Sequence, residues 1–412
     1  MLNRIWTFFF IGGFVAAIGR TLAGHSEVWR GMVAACFDSA KTGFEIALGL
    51  TGIMCLWLGI MRIGERGGAV DFLARAFGPL GRRLFPGIPE GHPAHGSIVM
   101  NITANMLGLD NAATPLGLKA MGQLQELNPS RDTASDDQIL FMVINAASVT
   151  IVPTTILTFR AQLGAADPTD VFLPILVATF AATMAGLIAT SFRQRLRLWD
   201  PVVLAYLGGM TAVVAGLVAY FAHLDQATLD KQSSLLANVL IFGMILAFLG
   251  AGLRKRVDLF GSFVDGGKEG FHTAIGIVPY LVAMLVGIGV FRASGALDLI
   301  LGGVRHVVAA AGIDTRWVDA LPTALMKPLS GSGARGMMIE TMRTHGADSF
   351  AGRLACTIQG STETTFYVLA VYFGSVNIRR TRHAVACALT ADIVGYTTAI
   401  LMAYLFWGQG GH

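Results

Sequence analysis

The sequence predicts an all-α integral membrane protein, a polytopic helical bundle of two inverted repeats with broken or re-entrant helices. A high apolar content and long uncharged runs predict the class, and an internal duplication predicts the repeats. Of the 412 residues, 54% are hydrophobic and 14% are charged, and the mean hydropathy is +0.61. Such a chain has more apolar surface than one soluble core can bury. We therefore expect lipid to solvate much of it.

Three uncharged runs are long enough to cross a bilayer. Residues 171–192, 202–222 and 235–253 contain no Asp, Glu, Lys or Arg over 22, 21 and 19 positions. A helix needs about 20 residues to span a hydrocarbon core of about 30 Å. Residues 5–19 and 43–61 are weaker candidates. The sequence therefore predicts several membrane-spanning helices.

A duplication is visible at a constant separation of 227 residues. The first block pairs Asp38, Lys41, Gly43, Phe44, Ala47 and Gly49 with Asp265, Lys268, Gly270, Phe271, Ala274 and Gly276. Further on, residues 144–150 (INAASVT) resemble residues 358–364 (IQGSTET) at a separation of 214. Two matching blocks in the same order predict that the chain contains two copies of one unit.

The positive charges predict the orientation of the two copies. Clusters of Lys and Arg lie at 193–197, 254–256 and 379–382, and the positive-inside rule places all three in the cytoplasm. The span 171–192 then runs inward while its partner, 384–407, runs outward, so the halves are inverted. The same rule places Arg4 and the N-terminus in the cytoplasm of a bacterial cell, with the chain in the inner (plasma) membrane. Inverted repeats with helices broken near the midplane are common in secondary transporters.

Two polar stretches precede predicted helices at related places in the halves. In the first, Thr114 is expected to cap a helix that starts at Pro115 and runs to about residue 127. In the second, the small residues of 328–335 allow a bend, and Ser332 is expected to cap a helix that runs to about His345.

Two further stretches predict helices broken inside the membrane. Pro153 removes a backbone hydrogen bond from residues 148–153, and Gly360 allows residues 359–363 to unwind. Any single Ser or Thr here can simply bond its own helix or a neighbouring helix. Polar breaks in both halves nevertheless favour a binding site at the midplane.

Ionisable groups at membrane depth are costly and usually face a cavity or a partner. Glu363 and Asp392 are the two carboxylates that we single out on this ground. With the polar breaks, they complete the predicted substrate-binding set, which is Asn101, Asn105, Asp110, Asn111, Thr114, Asn145, Ser148, Thr150, Ser330, Ser332, Arg335, Gln359, Ser361, Thr362, Glu363, Thr364 and Asp392.

The same polar stretches resemble known families. Residues 105–121 (NMLGLDNAATPLGLKAM) and 145–155 (NAASVTIVPTT) resemble spore maturation protein A, and residues 328–336 (PLSGSGARG) and 348–382 resemble spore maturation protein B. Both belong to the nucleoside recognition, or Gate, superfamily, whose relatives include concentrative nucleoside transporters and the membrane part of ferrous iron transporters. The resemblance implies a fusion, with a first Gate-type repeat at 1–200, a linking helix and loop at 201–234, and a second repeat at 235–412.

Two classes of function remain open. The first is a transporter or permease for a small polar solute, coupled to an ion or a proton. The second is a non-transporting scaffold or assembly factor in cell-envelope or spore-cortex maturation. A hydrolase using Ser330 or Ser332 lacks a base, so we expect no enzyme, no cofactor and no metal. Membrane lipids are expected partners, a homo-oligomer is left open, and the net charge of +4 is accounted for by cytoplasmic loops rather than nucleic-acid binding.

Overall fold

The computed structural model describes residues 2–107, 110–151 and 153–408, and its regular structure is helical. The helices are α1 (Leu2–Leu22), α2 (Val28–Gly67), α3 (Ala69–Leu84), α4 (Pro93–Met106), α5 (Asp110–Leu127), α6 (Asp136–Ala147), α7 (Thr154–Gln162), α8 (Phe172–Gln194), α9 (Pro201–Ala222), α10 (Gln226–Arg254), α11 (Leu259–Ala293), α12 (Ala296–Ala310), α13 (Leu321–Met326), α14 (Gly331–His345), α15 (Phe350–Ser361), α16 (Thr365–Ser375) and α17 (Ala384–Trp407). A 3-10 turn, Arg316–Ala320, precedes α13. The all-α class is confirmed.

Seven helices in the described part of the chain are long and apolar enough to cross a membrane. They are α1, α2, α8, α9, α10, α11 and α17. The three uncharged runs of the sequence lie in α8, α9 and α10. The 40 residues of α2 and the 35 of α11 exceed the roughly 20 that span a bilayer, so these helices must tilt strongly or project from it. The chain is a multi-pass helical membrane protein.

The helices of the two halves follow each other in matching order. Helices α3 and α12 each begin after a glycine in the left-handed conformation, Gly68 with φ 84° and Gly295 with φ 81°, and 295 − 68 = 227. Helices α6 and α15 each have 12 residues and end at Ala147 and Ser361, where 361 − 147 = 214. The duplication therefore extends to local structure, while the inversion of the halves stays a prediction.

The helices form two compact units, and each unit takes residues from both halves of the sequence. Unit I comprises Met1–Leu58, Thr155–Pro168 and Gly267–Gln359. Unit II comprises Gly59–Thr154, Thr169–Gly266 and Gly360–His412. The chain passes from unit II to unit I between α6 and α7, and from unit I to unit II at the end of α15.

The centre of unit II is formed by α6, α8 and α17. Every residue of α6 from Gln138 to Ala147 is buried. Small residues let the three helices approach closely, because a Cβ at Gly186 of α8 would lie 2.9 Å from Val143 of α6 and 3.3 Å from Ala391 of α17. Close packing of small residues is the usual way in which helices associate in a membrane. The last turn of α6 is thereby held in a fixed position.

Unit I contains a fully buried arginine, Arg160 on α7. Its Nη1 donates to the carbonyl of Ala347 at 2.7 Å, and its Nη2 lies 3.0 Å from the Asp348 carboxylate. The same guanidinium donates to the carbonyls of Asp167 and Pro168. An arginine can be buried only when its charge and its donors are satisfied in this way. Arg160 therefore joins the loop after α7 to the loop before α15.

Candidate functional site

The first helix interruption lies between α6 and α7. Helix α6 ends at Ala147 and α7 begins at Thr154, so the predicted break over residues 148–153 is confirmed. Ser148 has a φ of 39°, a conformation that non-glycine residues seldom adopt, and its carbonyl accepts a hydrogen bond from the hydroxyl of Thr179 on α8. The N–H of Ile151 donates to the carbonyl of Met106 at 2.9 Å. The interruption therefore has defined hydrogen-bond partners.

The second interruption lies between α15 and α16 and is shorter than predicted. Helix α15 continues through Gln359 and Gly360 to Ser361, so the expected start of unwinding at residue 359 is wrong. A single glycine inside a helix costs only about 1 kcal/mol and does not have to end it. The helix stops at Thr362, where Thr and Glu side chains compete for backbone groups, and α16 starts at Thr365.

A backbone hydrogen bond joins the two interruptions. The N–H of Glu363 donates to the carbonyl of Ala146 at 2.8 Å, which satisfies one of the free carbonyls at the end of α6. The N–H of Thr364 donates to the carboxylate of Glu363 itself at 3.3 Å. The Glu363 side chain is exposed, whereas Thr362 and Thr364 are buried. Glu363 is therefore the accessible charge of this pair of breaks.

Beside the interruptions lies a network of three asparagines and one tyrosine. Asn145 Oδ1 accepts from Asn105 Nδ2 at 2.8 Å and from the hydroxyl of Tyr372 at 3.1 Å. The Tyr372 hydroxyl also accepts from Asn101 Nδ2 at 3.3 Å, and Asn101 donates further to the carbonyl of Ala113 at 2.7 Å. Asn101, Asn145 and Tyr372 are buried. The network joins α4, α5, α6 and α16 within unit II.

Asp392 on α17 forms the other polar contact of this region. It is 2% exposed, and its Oδ2 accepts from the hydroxyl of Thr365, the first residue of α16, at 2.7 Å. One turn later, Gly395 allows α17 to approach the end of α15, because a Cβ there would lie 3.1 Å from Thr362 Cγ2 and 3.4 Å from Ser361 Oγ. The structure thus places Asp392 against the start of α16, directly after the second interruption.

Two predictions about the first polar stretch are corrected. Helix α5 begins at Asp110 rather than at Pro115, so Pro115 lies inside the helix and Thr114 is not its cap. Proline is compatible with a helix interior at the loss of one backbone hydrogen bond, and here it does not mark the start. Thr114 is exposed. The side chains of Asp110 and Asn111 lie outside the part of the chain that the structure describes.

The remaining predicted site residues belong to unit I. The helix predicted to reach His345 is confirmed as α14, but its cap is Ser330 rather than Ser332, since Ser330 Oγ accepts from the N–H of Gly333 at 3.0 Å. Ser330 has extended backbone, as an N-cap requires, whereas Ser332 is already helical. The two hydroxyls lie 3.3 Å apart. The Arg335 guanidinium lies 5.9 Å from the centroid of the Phe159 ring.

An apolar cavity of about 640 Å³ adjoins the first interruption in unit II. Val149 and Ile151 of the interruption form one wall, together with Met106 and Leu107 at the end of α4. The other walls come from α8, α9 and α10. Since its lining is almost entirely apolar, this cavity offers little to a polar ligand. The polar groups of the candidate site lie instead on the side of Asn145 and Glu363.

Comparison with protein families places the two interruptions in a common frame. The family model described as "Nucleoside recognition", or Gate, matches residues 47–166 and 274–379, and the two matches start 274 − 47 = 227 residues apart. The chain belongs to the Gate family. Each interruption lies inside one Gate copy, whereas Asp392 lies beyond the second.

Two curated Gate-related proteins are similar to parts of the chain. "Spore maturation protein B" of Bacillus subtilis is 44% identical over 175 residues, which is 42% of this chain and 92% of that protein. "Spore maturation protein A" of the same organism is 39% identical over 189 residues, which is 46% of this chain and 93% of that protein. Each relative thus covers about half of the chain, as expected for a fusion of the two.

Sequence reasoning missed two residues of this Gate site. Tyr372 lies in an apolar stretch of α16, and Thr179 lies in an apolar span, so neither interrupts the hydrophobic pattern. Their partners become visible only when α16 and α8 pack against α6. One local signal does exist for Tyr372: a Cβ at Gly117 would lie 2.2 Å from its hydroxyl, so α5 has a glycine where the tyrosine needs room.

Proposed function

We propose that this Gate-family protein is a transporter or permease that binds a small polar solute at its helix interruptions near the midplane of the bacterial plasma membrane. The observation that supports it most is the hydrogen bond between Glu363 and Ala146, which joins the interruptions of the two Gate copies. Backbone that leaves its helix at membrane depth is tolerated only where protein buries it or where it lines a cavity. Sites of this kind occur in secondary transporters.

The proposed roles differ between the polar groups. Glu363 is exposed and charged, so it is the group that would meet a cation, a proton or the solute. Asp392 is buried and bonded to Thr365, so it would hold the start of α16 in place or exchange a proton when α16 moves. The Asn101, Asn105, Asn145 and Tyr372 network would fix the end of α6. The solute itself is identified here only by its chemistry, as a small polar molecule.

We also propose that the two Gate copies are inverted and that the N-terminus is cytoplasmic. The support is the positive-inside rule applied to the clusters at 193–197, 254–256 and 379–382. Single cysteines placed at 195 and 380 should react with a membrane-impermeant maleimide from the same side. Reaction from opposite sides would remove the basis for the inversion.

The alternative is a non-transporting factor in envelope or spore maturation, and two observations favour it. The curated relatives carry the name spore maturation protein. The Asn145 network also satisfies its own hydrogen bonds, as a purely structural network does. Profiling of small polar metabolites separates the two functions, because a transporter changes intracellular or extracellular levels of its solute and a scaffold does not.

The decisive variant is Glu363→Gln, which keeps the shape and hydrogen-bonding capacity and deletes the charge. Cells producing the parent should differ from cells without it in at least one polar metabolite, and Glu363→Gln should reduce that difference or change its dependence on pH or Na⁺. Removing a charge at membrane depth is worth several kcal/mol, enough to alter coupling strongly.

The matched control is Glu126→Gln, an exposed carboxylate on α5 that lies outside both interruptions. It should behave as the parent does, and both variants should insert to the same level on a membrane immunoblot. If Glu363→Gln matches the parent at every pH and cation concentration, Glu363 has no coupling role. If the parent itself changes no metabolite, the scaffold interpretation is favoured.

A further inference from the structure

A second large cavity of unit II has a charged rim and an apolar wall. It has a volume of about 710 Å³ and lies between the corner that joins α2 to α3 and the last turns of α10. Phe72, Leu73 and Phe248 form the apolar wall. Arg75, Arg254 and Lys255 form the rim. We call this cavity the corner groove.

Glycines in the corner shape the groove. A Cβ at Gly67 would lie 3.0 Å from the backbone N of Gly252, so α2 and α10 approach to backbone contact at this point. Gly68 turns the chain with a φ of 84°, and the Lys255 ammonium lies directly over it. Larger residues at 67 or 68 would close the groove. The sequence therefore leaves a concave surface exactly where cationic side chains meet.

The rim has a net positive charge. The only carboxylate in this contact set is Asp71, which lies 3.6 Å from the Lys255 ammonium and whose carbonyl accepts from Arg75 Nε at 3.2 Å. Three cations and one carboxylate give 3 − 1 = +2. The candidate membrane span of α10 ends at Arg254, so the rim lies at the level of the lipid headgroups while the apolar wall extends along the span.

The second Gate copy provides an internal comparison. Its corner keeps the left-handed glycine, Gly295, and the acid, Asp298, at the positions of Gly68 and Asp71. The position of Arg75 is occupied by Gly302, since 302 − 75 = 227. The cation on α3 is therefore a feature of the first copy alone and is not needed to build the corner.

We propose that the corner groove binds an anionic glycerophospholipid from the surrounding membrane. Its phosphate would lie among Arg75, Arg254 and Lys255, and one acyl chain would lie along Phe72, Leu73 and Phe248. Basic pockets between membrane helices bind anionic headgroups in this way. A zwitterionic lipid would meet the same apolar wall but would bring no net charge to the rim. The proposal is independent of whether the protein transports a solute.

The test is native mass spectrometry of the purified full-length protein in detergent, titrated with phosphatidylglycerol or with phosphatidylethanolamine. The protein should retain phosphatidylglycerol in preference to phosphatidylethanolamine. Arg75→Gln should weaken phosphatidylglycerol binding about fivefold, because one cation near an anionic headgroup contributes about 1 kcal/mol. Gly250→Leu should weaken both lipids, because it adds a side chain to the groove from α10 at a position with open space around its Cβ.

Two matched controls lie on the same helices outside the groove. Arg82→Gln removes a cation from α3, and Gly243→Leu adds a leucine to α10, also at a position with open space. Both should bind phosphatidylglycerol as the parent does. Equal binding of the two lipids, equal effects of test and control variants, or displacement of the lipid by millimolar inorganic phosphate would each overturn the proposal. Equal melting temperatures of all five proteins establish that the changes in binding are not due to unfolding.

Discussion

The two interrupted helices occupy equivalent places in the two Gate copies, yet they differ in almost every side chain. Helices α6 and α15 have equal length and end 361 − 147 = 214 residues apart. The first interruption then runs through residues 148–153 without a charge, whereas the second spans residues 362–364 and contains Glu363. The chain changes compact unit at both places. The duplication has therefore kept the backbone interruption and diversified the groups around it.

Three pairs of equivalent positions show how the copies have diverged. At the separation of 214, Asn145 corresponds to Gln359, Val149 to Glu363, and Arg160 to Gly374. Asn145 makes hydrogen bonds to two other side chains, whereas Gln359 is buried and its Oε1 has no hydrogen-bond partner among the described residues. The first copy thus has the anchored polar groups, and the second has the accessible charge. This comparison predicts that equivalent substitutions have unequal effects.

The largest effect is expected at Arg160, the anchor that the second copy lacks. Arg160→Met keeps the length and apolar character of the side chain but leaves Asp348 and three carbonyls without their donor. Breaking a buried ion pair costs about 3 kcal/mol or more. We expect a clear fall in the melting temperature of the purified protein, followed by intrinsic tryptophan fluorescence in detergent.

Arg353→Met is the matched control for Arg160. Arg353 faces the same carboxylate, but its Nη2 is 3.9 Å away and its side chain is 25% exposed. Its loss should lower the melting temperature much less. Equal effects of the two substitutions would show that burial of the guanidinium is not what stabilises the loops of unit I.

The sequence was sufficient for the features that depend on local pattern. Uncharged runs predicted α8, α9 and α10 because a membrane span needs only length and apolarity. Pro153 predicted the first interruption, because a missing N–H acts on its own helix. The duplication predicted that Gly68 and Gly295 occupy equivalent places, and both precede a helix in the left-handed conformation.

Features that depend on packing could not be predicted. The start of α5 before Pro115 and the choice of Ser330 over Ser332 as a cap depend on how the preceding chain approaches the helix. The partner of Asn145 could not be found, because Tyr372 lies 227 residues away on another helix. The division into two units, each drawn from both halves, also has no signal in composition.

An intermediate effect is expected at Asn145 compared with Gln359. Asn145→Ala leaves Asn105 and Tyr372 without their shared acceptor, and a buried group without its partner costs about 1–3 kcal/mol. Gln359→Ala removes a side chain whose Oε1 has no described partner, so its cost should be limited to lost packing. Melting temperatures of the two variants should therefore differ, with Asn145→Ala the lower.

The second outcome of this pair concerns function. If the proposed transport activity exists, Gln359→Ala should affect it more than it affects stability, because an unpaired buried acceptor is the kind of group a solute can use. Asn145→Ala should reduce stability first. A larger melting-temperature loss for Gln359→Ala than for Asn145→Ala would contradict the assignment of the anchored polar groups to the first copy.

The smallest effect is expected at the beginning of the same two helices, where α6 has Asp136 and Asp137 and α15 has apolar residues. Asp137 lies outside the candidate membrane spans. Burial, and then the neighbouring charge of Asp136, raise the pKa of Asp137 from 3.8 to about 6, although the N–H of Gly87 partly opposes this. The folded protein therefore holds a proton that the unfolded chain releases between about pH 4 and pH 6.

Stability must consequently fall as the pH rises through that window, and above it the charged Asp137 is unfavourable. Asp137→Asn removes this cost, so it should stabilise the protein at pH 8 by about 1 kcal/mol after allowance for solvent screening, with a smaller gain at pH 5. Asp136→Asn is the control, because Asp136 is exposed and pairs with Arg382 at 2.7 Å, so its loss should give little or no gain. A gain for Asp137→Asn that is equal at both pH values would mean that a change other than the loss of the buried charge is responsible.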